Sequence, residues 1–194
     1  MEFMDTVIRR QSCRAFAPGQ VAPEEIETIL KAANAAPVSM GLYGNIHISV
    51  IQDEALIAAL EEYTYRAFPD EGEHPAYQAP TLFSINCLKK EREAGAWADA
   101  SAIAENMLLA AADLGLGSIY LMGIPQAVRN DAGLVGRLRA PEGFLPYVMV
   151  AVGHPAGEWE EGYVEGKGER ERSGTRDREG QETGVDRKKI RETE

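Results

Sequence analysis

Four side chains near the start of the chain, Arg9, Arg10, Ser12 and Arg14, raise the first chemical question. Three guanidiniums and a hydroxyl so close together offer the forked and single donors that phosphate oxygens accept. Charge-assisted hydrogen bonds contribute roughly 1.5–3 kcal/mol each, so two or three would anchor a phosphate dianion. The same residues also suit the end of a short helix, where cations lie favourably on the helix dipole. Spacing leaves both readings open. The cluster stands out against its background, because the chain has 31 Asp and Glu against 20 Lys and Arg and a formal charge of -11. That balance excludes a general polyanion binder, since nucleic acid requires a basic face.

Four further groups bear on chemistry. The loop Pro37, Val38, Ser39, Met40, Gly41 is small and apolar, and either packs on a flat ring system or simply joins two elements. In LGLGSIYLMG, 114–123, a glycine-rich turn leads into a strand that stops at Gly123. Backbone groups of Leu121, Met122 and Gly123 at such a strand end can face a ligand's edge, and a glycine permits close approach. A helix cap followed by a core strand explains the same glycines. They follow a helix rather than open one, so this is no phosphate loop of the GxGxxG kind. Glu105 and Asn106 lie in an otherwise apolar helix, where a buried polar pair must find partners across a helix interface or on a ligand. Lys188 and Lys189 either add charge to a phosphate site or are solvated. His47, His74 and His154 show no metal-ligand spacing, and no GxSxG nucleophile motif occurs. If the protein is an enzyme, a bound cofactor is the expected carrier of its chemistry.

The elements that must position these residues alternate between helix and strand. Helices are expected at 2–11, at 23–35 (opened by Pro23, with Ile26, Ile29, Leu30 and Ala33 on one face), at 53–67, at 97–114 and from Pro125 to about 139. The helix at 97–114 is apolar on nearly every side and rich in alanine, which marks it as buried. Strands are expected at 46–52, 81–87, 118–122 and 147–153, the last apolar throughout and therefore central. A polar loop fills 68–79. From 158 onwards Glu, Arg, Lys and Gly dominate, and that stretch cannot build a core of its own. It reads as a disordered tail, or as an arm ordered by lying on another subunit. Cys13 and Cys87 lack CxxC spacing and are expected to be reduced. The amphipathic, early-acidic N-terminus is no signal peptide, and no apolar run approaches the ~18–20 residues that span a bilayer. The expectation is a cytoplasmic protein of one domain.

Taken in order, these pieces resemble the nitroreductase family of FMN enzymes. RRQSCRAF looks like the family's R-R-x-S-x-R-x-[FY] opening, followed by a helix that starts after V-x-x-E. AAPVSMGLYGNIHISVI looks like a branch whose loop reads A-P-V-x-M-G-x-Y before a strand. ENMLLAAADLGLGSIYLMG resembles the long central helix and its following strand, and PYVMVAVGHP the last core strand. The resemblance covers most of residues 6–156.

It implies an α+β fold: a nitroreductase-like α/β sandwich with a central mixed, mainly antiparallel sheet flanked by helices. It implies a homodimer with FMN at its interface; the domain is expected over 1–156, and the charged stretch over 157–194 is either a tail or an arm wrapping the partner subunit. Arg9, Arg10 and Ser12, with Arg14, would hold the phosphate and ribityl chain. Pro37, Val38, Ser39 and Met40 would pack on the isoalloxazine, of this subunit's FMN or of the partner subunit's, and Leu121, Met122 and Gly123 would face its edge. Lys188 and Lys189 fall where the family places a late basic residue. The activity implied is ping-pong transfer from NADH or NADPH to nitroaromatics, quinones or related small-molecule acceptors, with neither nucleic acid nor membrane as partner. Gly41, Leu42 and Tyr43 depart from the common family loop, so a flavin-binding or sequestering protein without reductase activity stands as the alternative.

Overall fold

The structure, a computed structural model, describes residues 2–89 and 93–157. In chain order it runs α1 (Phe3–Arg9), α2 (Pro23–Asn34), β1 (Ile46–Ile51), α3 (Glu54–Ala67), β2 (Thr81–Leu88), α4 (Ala94–Asp113), β3 (Gly117–Leu121), α5 (Gly123–Val128), α6 (Ala132–Arg137) and β4 (Phe144–Gly153). Short 3-10 turns at Ser39–Gly41, Tyr43–Asn45 and Pro69–Glu71 punctuate the loops. The sheet order is β1-β2-β4-β3, with every neighbouring pair antiparallel. Parallel character enters through one bridge, between Ser12 and Ser118 on the edge strand β3.

Strand β4 is buried along nearly its whole length because helices cover both faces of the sheet. Val148, Val150 and Val152 join Phe83 and Ile85 in a core packed against Ile29, Ile103, Met107 and Ala111 of α2 and α4. The alternate residues Met149 and Ala151 join Leu82, Ile119 and Leu121 in a second core, against Leu60 of α3 and Ile124 and Val128 of α5. Alternating registers of one apolar run thus serve two layers. The alanines of α4 let it lie close to both the sheet and α2, and Ala100, Ala104 and Ala111 are fully buried.

Local chemistry sets the element boundaries. Pro23 opens α2, and the Glu25 carboxylate accepts from Ala22 N at 2.8 Å. Asp53 caps α3 by accepting from Ala55 N at 2.9 Å. The helix expected from Pro125 to about 139 is in fact two. Asp131 has extended backbone, and its carboxylate accepts from Leu134 N at 2.8 Å, so it starts a new helix instead of continuing the old one. Gly123 is the first residue of α5 and not a simple turn. β4 begins three residues earlier than its apolar run, because a bulge at Ile85/Asn86 admits Pro146 to the ladder. Opposite that bulge, Arg129 lies 4.6 Å from the Tyr147 ring centroid and 5.7 Å from that of Trp97, and meets Glu93 at 3.1 Å. This cluster ties the start of α4 to the end of α5. Burial pushes the Tyr147 hydroxyl above its ordinary pKa, helped by the Glu93 charge and opposed by Arg129.

Gly153 ends β4 where there is no room for a side chain. A Cβ there would lie 2.6 Å from Pro80 Cδ and 2.9 Å from Phe16 Cδ1. Gly153→Ala should therefore lower stability by about 1–3 kcal/mol through overpacking. Urea unfolding checks this: the midpoint should fall with an unchanged slope.

Candidate functional site

The N-terminal cations are carried to the sheet by a short run of backbone hydrogen bonds. Helix α1 lies antiparallel to α4: Thr6 Oγ1 donates to Asp113 Oδ1 at 3.2 Å near one end, and Arg10 Nε meets Glu105 Oε1 at 3.9 Å near the other. Arg9 is the last residue of α1 and Arg10 its cap, so both sit where the helix dipole favours cations. Cys13 N then donates to Ser118 O at 2.9 Å, Ala17 N to His154 O at 2.8 Å, and Ala156 N to Ala15 O at 3.0 Å. These bonds lay residues 12–17 along the sheet edge from β3 to the end of β4. The Arg10–Glu105 separation is too long for a hydrogen bond, so the pair brings the guanidinium near a carboxylate without committing its donors.

The result is a cleft of about 200 Å³ at the end of β3. It is lined by Ser12 and Arg14, by residues 119–124, and by Pro75 and Tyr77. Sequence reading anticipated Ser12, Arg14, Leu121, Met122 and Gly123 here, and the structure brings those five together. Beyond its bridge at Ser118, β3 pairs only with β4 among the described residues, so the outer backbone edge of Tyr120 and Leu121 borders the cleft. Met122 is partly exposed beside it. Tyr120 is anchored from behind by a 2.9 Å hydrogen bond between its hydroxyl and Ser101 Oγ. Cys13 sits between Ser12 and Arg14 but is buried, and burial pushes its thiol pKa up. Burial thus disfavours the reactive thiolate form.

Other expected residues fall outside this lining: Arg9 and Arg10 stay at the end of α1 and are not among the residues that line the cleft. Pro37, Val38, Ser39 and Met40 do not line this cleft. Their loop is pinned to α4, where Asp99 Oδ1 accepts from Ser39 N at 2.8 Å and from Ser39 Oγ at 2.7 Å. Met40 is held at φ 56° and is 86% exposed, so a strained backbone presents an apolar side chain to the outside. Glu105 is not buried: its side chain is 55% exposed, because it falls on the side of α4 turned away from the sheet. Asn106 does bond across a helix interface, donating to Ala32 O on α2 at 3.0 Å. Lys188 and Lys189, with the whole arm from 158, lie outside the described residues.

Sequence reading missed Pro75 and Tyr77, which belong to the polar loop. The loop turns through two consecutive left-handed residues, Tyr77 at φ 57° and Gln78 at φ 58°. Arg14 lies 5.9 Å from the Tyr77 ring centroid, so these two lining residues meet at the cleft mouth. The overlooked signal was in α3. Ile57, Leu60, Glu61 and Thr64 share one face at helical spacing, and a carboxylate on such a face must be holding something.

Comparison with known proteins places the fold in a family. The model of the Nitroreductase family matches residues 7–154. A protein of Archaeoglobus fulgidus whose name carries "NADH dehydrogenase/NAD(P)H nitroreductase" is 32% identical over 158 residues, which are 81% of this chain and 87% of that one. The FMN reductase (NADPH) of Bacillus subtilis is 28% identical over 177 residues, covering 79% of this chain and 66% of the relative. A nitroreductase of Bacteroides fragilis solved with bound FMN superposes with a TM-score of 0.71 at 25% identity, covering 86% of this chain and 96% of that one. The chain belongs to the nitroreductase family.

Removing the Asp99 carboxylate tests how the Met40 loop is held. Asp99→Ala should cost about 1 kcal/mol, because the Ser39 amide and hydroxyl lose a charged acceptor at a partly solvated site. Hydrogen exchange at the Ser39 amide should accelerate by about tenfold, while amides in β4 remain protected.

Proposed function

We propose that the protein is an FMN-dependent NAD(P)H oxidoreductase that reduces small electrophiles such as nitroaromatics and quinones. The observation that carries this reading is the cleft in which Ser12 and Arg14 face the strand end at Leu121 to Gly123. Its residues fit the cofactor. Ser12 and Arg14 in the cleft lining, with Arg9 and Arg10 at the end of α1 just before them, offer a phosphate donors within an otherwise acidic chain. Backbone groups of residues 121–123 offer a flat heterocycle an edge, with no side chain at Gly123 to keep it away. FMN, when bound, would supply the redox chemistry, taking hydride from NADH or NADPH and giving electrons to the acceptor. The polypeptide binds and orients: the arginines fix the phosphate, and Arg14 with Tyr77 bounds the mouth. No side chain of the cleft is assigned as obligatory acid or base. Donor and acceptor would use one cleft in turn, a ping-pong order.

The working unit in this reading is a homodimer. Helix α1 leaves Phe3, Met4, Val7 and Ile8 exposed by 69, 60, 38 and 42%. Such an apolar stripe on a short helix supports burial against a second subunit. Met40, Leu42 and Tyr43, also exposed, would reach the partner's cleft and complete it. In that reading Pro37 to Met40 serve the neighbouring site, and the basic arm residues Lys188 and Lys189 serve the phosphate. Among the described residues no helix is long and apolar enough to cross a membrane. Cys13 and Cys87 are thiols, which suits a cytoplasmic setting.

Purified protein should be yellow with bound FMN and should bleach anaerobically on adding NADH or NADPH. Colourless protein that takes up no FMN would contradict the proposal. Arg10→Ala should raise the FMN Kd by about 10- to 100-fold, the loss expected of one charge-assisted phosphate contact. Ile8→Asp should convert dimer to monomer in size-exclusion chromatography with light scattering; an unchanged mass would contradict the α1 interface.

A further inference from the structure

Helix α3 directs a carboxylate away from solvent and into the loop that walls the cleft. The Glu61 side chain is only 10% exposed. Its neighbours on the same face, Ile57, Leu60 and Thr64, belong to the second core or to its edge. One carboxylate oxygen, Oε1, accepts from Ala76 N at 3.0 Å. The other, Oε2, lies 3.3 Å from His74 Nδ1. A carboxylate costs free energy to bury unless its oxygens find donors, and both donors come from a single three-residue stretch, His74 to Ala76. Pro75, between them, and Tyr77, immediately after, are the two residues of this loop that line the cleft.

The loop has its own reason to require an anchor. Tyr77 and Gln78 both take left-handed backbone, which residues with a Cβ adopt only when their surroundings impose it. Tyr77 N donates to His74 O at 2.8 Å and Ala79 N to Ala76 O at 3.1 Å, which closes two tight turns back to back. Ala76 and Ala79 are buried beneath them. The turn is thus held below by apolar contacts and at its leading end by Glu61. What it holds in place is the Tyr77 ring, opposite Arg14.

We infer that Glu61, with His74, is a positioning residue that fixes the 74–79 turn, so that Tyr77 and Arg14 together set the width of the cleft mouth for a planar aromatic ring. Tyr77 is the specificity-determining group and Glu61 acts through it. The inference rests on the flavin reading of the cleft and names residues of this chain that select and orient the ring.

The experiment titrates FMN into full-length apoprotein, follows flavin fluorescence, and records the visible spectrum of the complex. Glu61→Ala should raise the FMN Kd about tenfold and shift the bound-flavin absorption band, because the wall against the ring is loosened. Tyr77→Ala should give the same spectral shift. The double variant should bind no more weakly than the weaker single one, since both remove one wall. Glu61→Gln keeps an oxygen for Ala76 N and should recover most of the affinity. Wild-type affinity and spectrum in Glu61→Ala, or Kd increases that multiply in the double variant, would overturn the inference. If Glu61→Ala lacks a cooperative unfolding transition, His74→Ala with Tyr77→Ala provides the same cycle: a shared spectral shift supports the inference and independent effects overturn it. Wild-type protein that binds no FMN would overturn the flavin reading and this inference together. Binding by the wild type with unaffected variants would overturn the positioning role alone.

Discussion

The site depends on one seam of backbone hydrogen bonds. Residues 12–17 leave helix α1 and run along the sheet edge, with Cys13 bonded to Ser118, and Ala15 and Ala17 bonded to the segment after β4. A peptide hydrogen bond contributes only about 1 kcal/mol net, yet an unmade one at a buried edge costs more, so the register is firmly set. It delivers Ser12 and Arg14 to the end of β3. Without the seam, the arginines would be a surface cluster on a short helix, of little energetic consequence in an acidic molecule. With it, Arg14 and Ser12 line a cleft at the end of a strand, while Arg9 and Arg10 stay at the end of α1.

The rest of the fold supports that edge. β4 is the central strand, buried on both faces, and β3 hangs from it in a fixed register from Gly117–Gly153 to Leu121–Met149. Two apolar layers grip the sheet, one through α2 and α4 and one through α3 and α5. A sheet held in this way moves little, so the strand end lining the cleft is rigid. The mobile possibilities lie in the loops, and there polar groups act as ties. Asp99 pins the Met40 loop and Glu61 pins the Tyr77 turn. Both are carboxylates on core helices that accept from a loop amide. The protein thus uses the same device twice, at two loops with left-handed non-glycine residues.

Much of this was legible in the sequence, for physical reasons that can be stated. Periodicity located α2, β1, β2 and the central strand, because burial on one or both faces writes itself directly into residue order. The order of the arginine cluster, the Pro37–Met40 loop and the Leu121–Gly123 strand end carried the family resemblance, and the family match over 7–154 agrees with it. The sequence was silent where structure depends on a single side chain bonding locally or at long range. Asp131 splits a helix by capping the next one, although the apolar pattern runs through it. Glu105 looked buried because its helix is apolar, but a helix packed on the sheet and on α2 still has an open side. Tyr77 was hidden in a polar loop because its partners, Arg14 and the Glu61 tie, are remote in sequence. The late lysines, Lys188 and Lys189, lie outside the described residues and stay a reading from resemblance.

The central claim is electrostatic: a chain of net charge -11 keeps a cationic nook at its sheet edge to hold a phosphate. The most direct measurement compares FMN with riboflavin, which carries the same ring and ribityl chain without the phosphate, as ligands of wild-type apoprotein in isothermal titration. Two charge-assisted contacts predict that FMN binds at least about 100-fold more tightly, with a gap that narrows as salt is raised. Equal affinities for the two ligands at low salt would contradict the account.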